Sequence, residues 1–114
     1  MLSETGLEEL QTALAEGEPC TSLRLNRRKT APGTQPAWAA TAVPWCDGGF
    51  YLDRRPRFTF DPMLHQGCYY VQEASSMFHS HVVRQLTAGA SGPLRVLDSC
   101  AAPGGKTTAV IDSL

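Results

Sequence analysis

The residues with the densest chemistry lie at 98 to 108, DSCAAPGGKTT, where a carboxylate, a thiol, a glycine pair, a lysine and three hydroxyls fall within one short stretch. The apolar run Leu94 to Leu97 precedes them, so the order reads as a buried strand, a turn and the start of a helix. The ending Gly105-Lys106-Thr107 suggests a nucleotide phosphate. A P-loop, G-x-x-x-x-G-K-[ST], would however need glycine at position 100, which is Cys100. Pro103 also removes a backbone donor from the nest that would curl around the phosphates, and its fixed φ resists that curl. The dinucleotide fingerprint G-x-G-x-x-G is absent as well.

A third ligand suits the same strand, turn and helix. Asp98 at the strand end, followed by small residues, lets the backbone approach an amino-acid moiety. S-adenosylmethionine offers a carboxylate to a helix N-terminus and an ammonium to a carboxylate or to backbone carbonyls. The plainer alternative is that Gly104-Gly105 makes a tight link and Lys106 is merely solvated.

The elements that must position this turn follow from periodicity. Thr5-x-x-Glu8 forms a capping box ahead of Leu7, Leu10 and Leu14, which predicts a packing helix ending near Gly17. Residues 21–26 alternate as a half-buried strand, and residues 27–41 read as a loop. Val43 and Trp45 face Phe50 and Leu52 across Asp47-Gly48-Gly49, the pattern of a tight hairpin. Phe58 and Phe60, two apart, and then Cys68 to Val71 read as β-like runs, and positions 74 to 86 carry helical spacing up to the Gly-rich stop at 87–93. A strand at 94–98 and a helix from Gly105 would open an α/β unit that needs further parallel strands to cover it. The expected fold is an α+β amino-terminal region, 1–93, followed at 94–114 by the first strand, turn and helix of a truncated Rossmann-like domain.

The composition narrows the function. The chain has 114 residues, 42% hydrophobic and 18% charged, a net charge of −1, and neither an export signal nor a long apolar span, so the expected compartment is the cytoplasm with no membrane partner. Cys20, Cys46, Cys68 and Cys100 are widely spaced without a metal-ligand pattern, which argues for reduced thiols and against a metal. Two basic clusters, Arg24, Arg27, Arg28, Lys29 and then Arg54, Arg55, Arg57, leave room for a basic face despite the overall balance.

The stretch VLDSCAAPGGKTT resembles the cofactor motif of the Sun/Fmu (nucleolar protein/Sun) family of RNA cytosine-C5 methyltransferases, in which an acidic residue and C-A-A-P-G-G-K-[ST] open the catalytic domain. YYVQEASSM at 69–77 is similar to the tract ahead of that domain, TSLRLNRRK at 21–29 to the amino-terminal segment, and VPWCDGGFYL at 43–52 to the hairpin of the bacterial ribosomal RNA branch. Ser99 departs from the larger apolar residue usual there. The resemblance implies an amino-terminal part of an enzyme that forms 5-methylcytosine in ribosomal RNA. It places Cys100, Ala101, Ala102, Pro103, Gly104, Gly105 and Lys106 along the methionine end of S-adenosyl-L-methionine, with Asp98 fixing the turn. Gln72, Glu73, Ser75 and Ser76 either border the cofactor or target base, or cap the helix that follows. The family's catalytic T-C-S and P-C cysteines belong downstream of the turn, where this sequence has none, so no catalytic residue is assigned and the chain alone is expected to be inactive. Cys20 is expected to be structural and Cys100 a small packed residue. Trp45, Phe50, Phe58 and Tyr69 are candidate base-stacking partners beside the basic clusters. The competing class is a stand-alone RNA-binding or partner-binding module without catalysis.

Overall fold

The computed structural model describes residues 4–17 and 20–114. Helix α1 (Glu4–Glu16) is followed by strand β1 (Ser22–Leu25), the hairpin β2 (Ala39–Ala42) and β3 (Gly49–Leu52), and a 3-10 turn (Phe58–Phe60). Helix α2 (Pro62–His65), strand β4 (Tyr69–Val71) and helices α3 (Ala74–Thr87) and α4 (Gly105–Ser113) complete the order. The four strands form one antiparallel sheet, β2-β3-β1-β4, with Leu23 opposite both Phe50 and Val71.

The central strand β1 is buried on both faces rather than half-buried. Leu23 and Leu25 join Leu52, Phe58 and Tyr69 in a core on one face. Val43, Cys46, Ala74 and Met77 form a second core, which seats α3 against the sheet. The close approach needs Gly49, where a Cβ would lie 2.9 Å from Met77 Sδ and 3.0 Å from both Cys46 O and Val43 Cβ. The polar residues of β1 are buried because they are satisfied: Ser22 Oγ donates to Gln72 O at 2.6 Å.

Several expectations are corrected. The first hairpin strand is Ala39–Ala42, which begins inside the stretch 27–41 expected to be a loop, whereas Val43 and Trp45 belong to the six-residue connection 43–48. Pro44 lacks the N–H that a ladder position there would need, and the connection is closed by its own bonds, Cys46 N to Val43 O and Gly49 N to Cys46 O. Of the expected turn glycines only Gly48 takes a positive φ, 81°. Phe58 and Phe60 lie on a 3-10 turn, not a β run, with Phe58 buried and Phe60 exposed. Helix α1 starts at Glu4, so Thr5 stands inside its first turn rather than at its cap, and Leu7, Leu10 and Leu14 are exposed rather than packed.

The run 94–98 is not a strand. Leu94, Val96 and Leu97 are exposed, and no described strand lies alongside to complete a ladder, without which an extended segment has no β structure to join. The helix that follows does form. It packs against α3 through Ala109 and Val110, both buried. Of the expected strand, turn and helix, only the turn and the helix are present, and the helix lies against α3.

Candidate functional site

The turn is held by a carboxylate. Asp98 Oδ1 accepts from Cys100 N at 2.9 Å and Oδ2 from Thr107 Oγ1 at 2.6 Å, so one side chain ties the entry of the turn to the first turn of α4. The Thr107 hydroxyl, then the Cys100 amide, hold this carboxyl below its ordinary range. Ala102-Pro103 is a cis peptide, and Gly104 caps α4 with φ 104°, a conformation that side-chain-bearing residues rarely adopt. The N–H groups of Gly105, Lys106 and Thr107 find no acceptor among the described residues, as a helix start without a side-chain cap requires. Helix bonding begins with Thr108 N to Gly104 O at 2.9 Å.

A buried arginine moors the helix to the sheet. Arg24, only 3% exposed at the centre of β1, donates from Nε to Gln72 Oε1 at 3.1 Å and from Nη2 to Thr108 Oγ1 at 2.7 Å, and its Nη1 pairs with Asp112. Gln72, the residue after β4, passes the connection on from Nε2 to Gly105 O at 3.3 Å. Beside it the Tyr70 ring covers Gly105, where a Cβ would stand 3.3 Å from Cε1. Position 105 therefore accepts no side chain without displacing the ring.

Between these parts lies a cleft of about 190 Å³, lined by Tyr70, Gln72 and Ser76 on one side and by Cys100 to Pro103, Gly105 and Lys106 on the other. Six of the seven residues expected along the cofactor line it, and Gly104 supports them from the helix cap. From the 69–77 tract, Gln72 and Ser76 reach the cleft, while Glu73 and Ser75 are exposed outside it. The alternative, that this tract caps α3, fails at Glu73, which occupies the cap position without a side-chain bond. Cys100 is an exposed lining residue and not the packed one expected.

Residues 1–74 match the family model described as the N-terminal domain of 16S rRNA methyltransferase RsmF. The chain belongs to this family. A relative in Escherichia coli O157:H7, ribosomal RNA small subunit methyltransferase F, is 39% identical over 100 residues, covering 78% of this chain and 20% of its own. The protein of the same name in Serratia proteamaculans is 43% identical over 76 residues, covering 64% of this chain and 15% of its own. The chain thus spans about a fifth of the length of the relatives it matches.

Within this RsmF-type domain the first basic cluster does mainly internal work. Arg24 is buried, Arg28 Nη2 donates to Ile111 O at 3.0 Å, Lys29 Nζ donates to Gln66 O at 2.7 Å, and Arg27 lies 3.4 Å from Asp47 in an exposed pair. Arg54, Arg55 and Arg57 are exposed, and among the described residues their one recorded interaction is Arg55 over the Phe58 ring at 5.9 Å. The aromatic candidates are also redistributed. Phe58 and Tyr69 are core residues, and Trp45 donates from Nε1 to Ala74 O at 2.7 Å, pinning the start of α3. Phe50 is half-buried, and Phe60, expected only as part of a β-like run, is an exposed aromatic three residues after the second cluster. Cys20 is exposed. Among the described residues no group of three or more metal-ligating side chains occurs, and no helix is long and apolar enough to cross a membrane.

Proposed function

We propose that the chain is the amino-terminal part of an S-adenosylmethionine-dependent RNA cytosine-C5 methyltransferase that forms 5-methylcytosine in ribosomal RNA. Residues 1–93 form its pre-catalytic, RNA-facing region and 94–114 open the cofactor domain. One observation carries the reading: the CAAPGGK turn and the Gln72–Ser76 tract, far apart in sequence, face each other across one cleft. The donor set fits the amino-acid end of the cofactor. Three unpaired N–H groups at the start of α4 suit a carboxylate, and open carbonyls of the turn suit an ammonium. Bound there, the cofactor would supply an electrophilic methyl group.

In this reading Cys100 to Lys106 seat the methionine portion, Gly105 gives the backbone close access, and Asp98 keeps the turn shaped. None of these residues acts as the nucleophile. That role belongs to a cysteine downstream of the turn, so residues 1–114 alone bind without turning over. The RNA backbone is met by Arg54, Arg55 and Arg57, whose charges are not engaged in ion pairs among the described residues, rather than by the first cluster.

The test is amide chemical-shift mapping of the chain with millimolar S-adenosylhomocysteine, the stable demethylated cofactor. Saturable shifts centred on Cys100 to Lys106, Gln72 and Ser76 are expected. Shifts confined to other surfaces, or none at all, would sink the proposal.

A further inference from the structure

The cleft has a wall from the sheet and a wall from the turn, and one side chain spans the two. Gln72 is 9% exposed, and its backbone is clamped to β1, with Gln72 N donating to Ser22 O at 3.2 Å and Gln72 O accepting from Ser22 Oγ at 2.6 Å. Its amide orientation is fixed by chemistry. Arginine can only donate, so the oxygen must face Arg24 Nε, at 3.1 Å, and the NH2 group must face Gly105 O, at 3.3 Å. Arg24 is itself fixed by Thr108 and Asp112. Gly105, Thr108 and Asp112 recur at spacings of three and four, one face of α4, so the helix is held along its length by a network that starts on β1.

We propose that Gln72 is a positioning residue for the turn: driven by the buried Arg24, it sets the height of Gly105, and with it the three open N–H groups of α4, relative to the cleft. Among the described residues the second N–H of Gln72 Nε2 has no partner, and it lies beside the turn on the sheet wall, as does the Tyr70 hydroxyl, which donates to Pro103 O at 3.4 Å. A carboxylate seated on the start of α4 would therefore meet one further donor from the sheet. The amino-terminal domain then does more than present RNA-binding surface, because its central strand fixes where the cofactor's amino-acid end can lie. This inference rests on reading the turn as the cofactor's seat.

The decisive variant is Gln72→Glu. It keeps an acceptor for Arg24 and strengthens that pair by adding a charge, but turns a carboxylate oxygen toward Gly105 O in place of a donor. Thermal unfolding should stay close to wild type, while the amide resonances of Gly104 to Thr108 shift and S-adenosylhomocysteine binds at least tenfold more weakly. Gln72→Asn, neutral but too short to span both partners, provides the same readouts if the glutamate variant folds poorly. A merely structural glutamine would behave differently, with turn resonances moving no more than those of the rest of the molecule, or affinity falling only in step with stability. Either result overturns the inference. If wild type does not bind S-adenosylhomocysteine, the cofactor reading fails on its own, and the turn resonances of the two variants still decide whether Gln72 positions the turn.

Discussion

Replacing Gly49 with alanine puts the packing of α3 on the sheet to a direct test. The new methyl group would meet Met77 Sδ at 2.9 Å, Cys46 O at 3.0 Å and Val43 Cβ at 3.0 Å. Met77 is fully buried in a close-packed interior, and the other two atoms belong to a backbone carbonyl and to a Cβ fixed by the same loop. Gly49 has no positive φ, so the cost is purely one of space. Overpacking of this kind costs about 2 kcal/mol, offset by a few tenths from the reduced entropy of the unfolded chain. For a domain of this size that corresponds to a fall in melting temperature of roughly 8 °C. The measurement is urea unfolding followed by circular dichroism, with Gly89→Ala as the control because no atom lies within 4 Å of the added methyl. The control should change stability by less than about 0.5 kcal/mol. A Gly49→Ala protein as stable as the control would show that α3 does not lie this close to β3, and the second core would have to be redrawn.

Tyr69→Phe removes a 2.6 Å bond to Asp61 and should cost about 1.5 kcal/mol at neutral pH. Burial and that bond raise the Tyr69 pKa, so the native state keeps a proton that the unfolded state loses above pH ~10; the gap between wild type and variant should narrow there, and a constant gap through pH 11 would refute the assignment. The Asp98 carboxyl is depressed, so its contribution is present above the unfolded value of ~4 and lost as pH falls below it; the difference between wild type and Asp98→Asn should vanish on acidification, and a difference independent of pH would contradict it. Ellman's reagent should titrate Cys20 and Cys100 in the native protein and reach Cys46 and Cys68 only on unfolding, burial having pushed the Cys46 thiol up as well; more than two fast thiols would refute the burial pattern. If the second basic cluster follows the RNA backbone, changing Arg54, Arg55 and Arg57 together to Gln should weaken binding and lower the salt slope by about two, whereas Arg27→Gln should change it little.

Periodicity revealed β1 and α3 because each keeps its period for its full length, two for Ser22–Leu25 and about 3.6 for Ala74–Thr87. It misplaced the hairpin because Ala39-Ala40-Thr41-Ala42 carries almost no contrast between faces, while Val43 and Trp45 carry a great deal for another reason: Val43 fills the second core from the loop and Trp45 anchors Ala74. The leucines of α1 show the limit of the same signal, since a stripe at helical spacing predicts the helix without naming what covers it.

The cleft divides along the same line. The demands of the turn are local, with glycine at a positive φ, a proline, and an aspartate two residues from the amide it accepts, and local demands are written in adjacent residues. What holds the turn in place is not local. Arg24 sits in the run R-L-N-R-R-K, where composition assigns it to a basic surface, yet its partner Asp112 is 88 residues away and the arginine itself is buried. The alternation of β1 already carried a usable hint: if Leu23 and Leu25 face one core, Arg24 shares the opposite face with Ser22, and a long cation in the middle of a central strand must be paired or else incur a desolvation cost of several kcal/mol. Truncating either partner would strand the other charge, so Arg24→Met and Asp112→Asn should each destabilise the fold by roughly 3 kcal/mol, and the double variant by less than the sum. Additive costs would mean that the two charges do not sense each other, and α4 would then be held by its packing on α3 and by the remaining bonds from Gln72, Thr108 and Arg28.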